Sequence, residues 1–141
     1  MAIFKVMTEA IPKNLFLQSL ERCSEDEDFI VSFYDNFLGA SEEVREKFAE
    51  TDFTRQNRML LKSLRLCAGA TAGDLAALRE LRERAETHDR QHLNIRPELY
   101  DLWLDAIIKT AREYDELWSP DIEEAWNTIL GHVIHHMIKY Y

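Results

Sequence analysis

Cysteine, proline and glycine are scarce in this chain of 141 residues, with two, three and four copies. So little glycine and proline favours long helices over many tight turns. Cys23 and Cys67 fall in separate predicted helices with no CxxC pairing, which points to buried free thiols in a reducing cytosol rather than a disulfide framework. Neither has a base nearby in sequence, so neither is assigned a chemical role. No apolar run approaches the roughly eighteen residues needed to cross a bilayer, and the opening MAIFKVMTEAIPKN lacks the basic end and long apolar middle of a signal peptide. Positive charge is short as well. Lys and Arg total 17 against 26 Asp and Glu, a formal charge of -9. A surface this acidic repels phosphate backbones and anionic lipid, so no nucleic acid and no membrane is expected as a partner. The expectation is a cytoplasmic protein, monomer or homodimer.

What is present is apolar and periodic. Hydrophobic residues make up 46% of the chain, enough for one domain of this length to bury a core. Residues 1–12 read as an apolar lead ending at Pro12. A first helix is predicted from Lys13 to Cys23, with Leu15, Phe16 and Leu20 inward. Ser24-Glu25-Asp26-Glu27 has the form of a capping box for a second helix reaching Leu38, with Phe29, Ile30, Phe33, Tyr34 and Phe37 on its apolar side. Gly39 is placed to end that helix in a left-handed residue. Ser41 caps a short third helix reaching Phe48, and Asp52 a fourth from about Phe53 to Ala68. The loop GATAG, 69–73, follows. Pro97 suits the first position of a helix reaching about Asp115, and Ser119-Pro120 opens the last. That helix carries Ile122, Ala125, Trp126, Ile129, Leu130, Val133, Ile134 and Met137 on one stripe. No strand pattern, repeat or linker emerges. The fold class is all-α, one domain over 1–141 of roughly seven helices, the last two an antiparallel pair.

The stretch LAALRELRERAETHDRQHLNIRP carries the sharpest signal. Leu75, Leu78, Leu81, Ala85 and His88 share one face at about 100° per residue. That face ends in an imidazole, and Ile95-Arg96-Pro97 then turns the chain out of helix. His88 is either a metal ligand or a core histidine with a hydrogen-bond partner. Phe53, Gln56, Leu60, Leu64 and Cys67 share a face of the fourth helix. Gln56 either meets a polar partner there or reaches solvent from the first turn; a buried amide without a partner costs about 1–3 kcal/mol. Tyr34, at the margin of an aromatic face, is either a core tyrosine bonded to a backbone carbonyl or something more specific. His88 and His92 also have zinc-pair spacing, but Asp89 stands where HExxH places its glutamate and is too short to reach a zinc-bound water. His132, His135 and His136 cluster near a helix C-terminus, where the dipole favours them; adventitious metal binding is the other reading.

Taken in order, FYDNFL, EEVREKF, TDFTRQNRML, THDRQHLNIRPELYDLW and SPDIEEAW resemble a globin, most nearly the bacterial single-domain globins and the haem domain of flavohaemoglobins. The resemblance spans about Leu15 to Met137. It implies a globin fold sandwiching one haem, with His88 as the ligand of the iron. It implies that Phe48 wedges against the porphyrin, that Tyr34 and Gln56 face bound gas, and that Leu60 and Leu64 form the apolar wall. By the same resemblance His92 approaches a propionate, while Ile95 and Tyr100 lie along the cofactor. Haem asks for these residue types: a flat apolar slot, one neutral imidazole donating its other N–H, and few polar groups opposite. With no CxxCH in the chain, the cofactor expected is haem b.

Two departures from the flavohaemoglobins matter. The gap from His88 to Pro97 is longer, and His92 would stand too close to that proline, which favours His88. Tyr100 stands for their proximal tyrosine, but HHMIKYY supplies no glutamate to polarise the ligand. The leading expectation is therefore reversible binding of dioxygen, with carbon monoxide and nitric oxide as further ligands, at a five-coordinate iron. The alternatives are an NO dioxygenase or peroxidase-like enzyme served by a separate reductase, a gas sensor, and a haemless regulatory domain.

Overall fold

The computed structural model describes residues 2–71, 73, 75–88 and 95–139. They form α1 (Ala2–Ser24), α2 (Asp28–Leu38), α3 (Glu42–Lys47), α4 (Phe53–Thr71), α5 (Leu75–His88), α6 (Pro97–Tyr114) and α7 (Pro120–Lys139), with no strand among the described residues. None of these helices is long and apolar enough to cross a membrane. His92, at 89–94, lies outside the described residues.

Several helix ends follow the expected chemistry. The Ser41 hydroxyl accepts the Val44 N–H at 3.0 Å and opens α3. Asp52 accepts the N–H groups of Thr54 and Arg55 at 3.1 and 3.4 Å and opens α4. Pro97 takes the first turn of α6, where its missing N–H goes unneeded. Ser119 accepts the Ile122 N–H at 3.3 Å at the start of α7.

Other ends differ from expectation. The lead is helical, and α1 runs through Pro12 from Ala2; the proline's fixed φ suits a helix, but it removes one hydrogen bond and crowds the carbonyl four residues back, at a cost of about 3 kcal/mol that the rest of the helix offsets. Ser24 is no cap for α2. Its hydroxyl turns back to the Leu20 carbonyl at 2.6 Å, and Asp26 accepts the Asp28 N–H at 2.9 Å instead. Gly39 stays right-handed, with φ -71° and ψ -14°. Its N–H still reaches the Asp35 carbonyl at 3.1 Å, so the α2 turn continues and the break comes at Ser41. The helix α4 takes in Gly69, Ala70 and Thr71, and the left-handed glycine is Gly73 at φ 87°.

The packing pairs α1 with α7, α2 with α6 and α4 with α5, with α7 also lying against α4, α5 and α6. Trp126, Phe16, Phe29, Phe33, Leu64 and Ile107 are fully buried at the centre. Each such side chain contributes about 1.5–3 kcal/mol by leaving water. Trp126 meets Phe16 edge-on at 4.8 Å and gives its indole N–H to Ser19 at 2.9 Å. These contacts hold α1 across α7, and α4 packs directly against α5.

Candidate functional site

Two sets of residues face one another across the helices α2, α4 and α5. The first is aromatic and polar. Tyr34 is buried on α2, its ring 4.9 Å from Phe33, 5.3 Å from Phe53 and 5.8 Å from Phe48. Phe48, just after α3, also meets Phe37 at 5.9 Å and stacks on Phe53 at 6.2 Å. Three segments, α2, α4 and the turn after α3, thus converge on one tyrosine, with apolar rings around its body. Burial pushes the Tyr34 hydroxyl up to about 12, while a side-chain hydrogen bond with Gln56 acts the other way. The Gln56 amide thus lies near the Tyr34 hydroxyl across the α2–α4 crossing.

Beyond Gln56 the α4 face is apolar. Leu60, Leu64 and Cys67 are buried, and their spacing of four, four and three keeps them on one line. The facing stripe on α5 consists of Ala77, Leu81 and Ala85, with Leu78 half-buried beside them. Leu75 is not part of it, being 80% exposed. It opens α5 as the chain enters from the Gly73 turn, and Ala77 takes the inward place.

His88 ends α5. Its Nδ1 lies 2.7 Å from the Arg84 carbonyl oxygen. A carbonyl can only accept, so Nδ1 carries the proton and Nε2 keeps its lone pair. Burial lowers the pKa of the imidazole; the bond to the Arg84 carbonyl opposes this, and the Arg84 charge reinforces it. The ring is therefore neutral near pH 7. The His88 carbonyl accepts the Ile95 N–H at 3.0 Å, which ties the helix end to the chain entering α6. Ile95 and Tyr100 are half-buried against the core. Burial pushes the Tyr100 hydroxyl up to about 12, and among the described residues it makes no hydrogen bond to His88.

These residues fit a haem. The imidazole is neutral, has its outer nitrogen engaged and offers the other, as an axial ligand must. The walls are apolar, and the polar pair Tyr34 and Gln56 is confined to one end. The remaining histidines form no such set. His132 and His135 are exposed and His136 half-buried, and among the described residues no three His, Cys, Asp or Glu stand together to hold a metal ion. Two participants lay outside the sequence reasoning. Phe53 was placed on the α4 stripe without a role, although it stacks at the centre of the aromatic group. Arg84 was passed over, although a charge four residues before an inward histidine was a visible signal.

A ligand-ready imidazole under an all-α sandwich defines the class of a globin-type haem protein. The globin family model matches residues 31–137, and the chain belongs to the globin family, which implies a haem cofactor in general. Among solved structures it is similar to PA3967 of Pseudomonas aeruginosa PAO1, described as structurally highly homologous to a human haemoglobin. The two are 35% identical and superpose with a TM-score of 0.87, over 92% of this chain and 98% of that one. No curated protein sequence matches.

Proposed function

We propose that this globin binds haem b through His88 alone and reversibly takes up dioxygen and other diatomic gases, carbon monoxide and nitric oxide among them. The observation that carries the reading is the His88 imidazole, neutral and with Nδ1 committed to the Arg84 carbonyl at 2.7 Å. When bound, haem supplies an iron with one position open to a gas. The chain's own residues do the rest. Phe48 would wedge against the ring, Leu60 and Leu64 would exclude water, and Tyr34 and Gln56 would offer hydrogen-bond donors to the gas. Ile95 and Tyr100 would line the side reached from α6, and His92 would serve a propionate. The absence of CxxCH leaves the cofactor without thioether bonds.

The proximal side separates gas binding from an oxidase-like enzyme served by a reductase. A carboxylate on Nδ1 would make the imidazole a strong electron donor, whereas a neutral carbonyl polarises it less. That favours reversible binding over NO dioxygenase or peroxidase turnover. The test is the absorption spectrum of the purified protein, oxidised, reduced and under carbon monoxide, with haem per chain measured for His88→Ala and His92→Ala. Loss of the Soret band in His88→Ala and its retention in His92→Ala is expected. The reverse pattern overturns the assignment of His88.

A further inference from the structure

Arg84 is the one charged residue in the inward stripe of α5, among Ala77, Leu81 and Ala85 and one turn before His88. Its carbonyl holds the His88 proton. Its side chain is half-buried, and its Nε is buried with no hydrogen-bond partner among the described residues. Among the described residues no carboxylate pairs with it. An arginine that only lays its stem along a surface keeps its donors in water. This one does not. Arg84 and His88 stand four residues apart on α5, the spacing that makes side chains neighbours on a helix, and α5 packs against α4. An apolar residue would pack there without burying an unpaired N–H. The charge therefore calls for a use.

We infer that Arg84 is a positioning residue for the iron ligand: its carbonyl fixes the His88 tautomer, and its guanidinium opposes positive charge on the imidazole and at the iron. The ferrous state, the one that takes up dioxygen, is thereby favoured. Arg84 acts opposite in sign to the carboxylate that would drive oxidative chemistry. The inference rests on the reading of His88 as the haem ligand.

The two halves of the device separate experimentally, since substitution of the side chain leaves the carbonyl in place. The midpoint potential of the haem-loaded protein is measured by spectroelectrochemistry for wild type, Arg84→Gln, Arg84→Met and Arg84→Lys, with the single electron delivered from the electrode through a mediator. At the wild-type midpoint, both neutral variants are expected to show a ferrous-to-ferric ratio about tenfold lower, which is 59 mV for a one-electron couple. Arg84→Lys keeps the charge and is expected to stay within about twofold, or roughly 18 mV. Methionine suits the apolar stripe, so a failure of Arg84→Gln to fold leaves a second neutral variant to decide. Unchanged potentials in a neutral variant that carries haem overturn the role of Arg84 and leave the haem reading intact. So does a shift in Arg84→Lys as large as that of the neutral variants, which would trace to packing rather than charge. Absence of a Soret band from the wild type overturns the haem reading and this inference together.

Discussion

Asp115 takes both prongs of the Arg22 guanidinium, Nε at 2.6 Å and Nη2 at 2.9 Å, across 93 residues of sequence. The same carboxylate accepts the Ser19 hydroxyl at 2.6 Å and the Leu117 N–H at 2.9 Å. Burial by itself would push the Asp115 carboxyl up, but these donors outweigh it and hold it below the usual carboxylate range. A carboxyl whose folded pKa lies under its unfolded value of about 3.9 stabilises the fold above that value, and the contribution is lost as pH falls through the folded pKa. Hydrogen bonds to a charged group are worth about 1.5–3 kcal/mol. Asp115→Asn should therefore cost about 2 kcal/mol near neutral pH. In urea titrations the gap from wild type should narrow below about pH 4. A gap that stays constant into strong acid would show that shape, not charge, holds this corner.

No local pattern announces that corner. Ser19, Arg22, Asp115 and Trp126 come from three separate segments, and each is unremarkable in its own helix. By contrast, the signals that depend on near neighbours were legible: the Ser41 and Asp52 caps, Pro97, and the α7 stripe, of which only Ile134 is less than buried. Local signals failed where two local options were close in energy. Ser24 turns to its own helix rather than the next, and Gly39 keeps the right-handed turn it is equally free to leave. At the site, the inward face ending in His88 is readable as spacing from Leu78 onward, whereas Tyr34 and Gln56 come together only through the resemblance to globins. The burial of the Arg84 Nε is a tertiary fact.

The two thiols should be inert in the native protein. Burial pushes both Cys23 and Cys67 up to about 12, so about one thiol in ten thousand is ionised at pH 8, and the thiolate is the reactive form. A disulfide reagent such as Ellman's should leave the folded protein unlabelled for hours and titrate both thiols at once in denaturant. Rapid labelling of one thiol under native conditions would place it at an opening the packing does not show.

Haem, by the reading of the slot between α4 and α5, should add markedly to stability. Leu60, Leu64, Leu81 and Ala85 are buried there, and a ligand that binds only the folded chain at about a thousand times its dissociation constant contributes about 4 kcal/mol. For a domain of this size that corresponds to about 10 °C or more in melting temperature. Thermal melts of the apoprotein and of the same sample reconstituted with haem provide the comparison. Coincident melts would mean that the core is complete without it.

The pairing of Tyr34 with Gln56 should decide how long a gas stays bound. With its hydroxyl held up at about 12 by burial, Tyr34 keeps its phenol proton throughout the neutral range. In such a pocket dioxygen carries partial negative charge on its outer atom, whereas carbon monoxide carries little. A donor to that charge is worth about 1.5–3 kcal/mol, and every 1.4 kcal/mol is a factor of ten. Tyr34→Phe keeps the ring against Phe33, Phe48 and Phe53 and removes only the hydroxyl, so dioxygen dissociation should speed up by about tenfold or more. Gln56→Leu removes the group that orients the phenol and should act in the same direction. Carbon monoxide release should change little in either, which makes the ratio of the two effects the diagnostic quantity. Stopped-flow dissociation of both gases from wild type and the two variants measures it. If the phenol instead serves only the packing of α2 on α4, Tyr34→Phe will lower the melting temperature modestly and leave both off-rates alone, and the pair has no part in holding the gas.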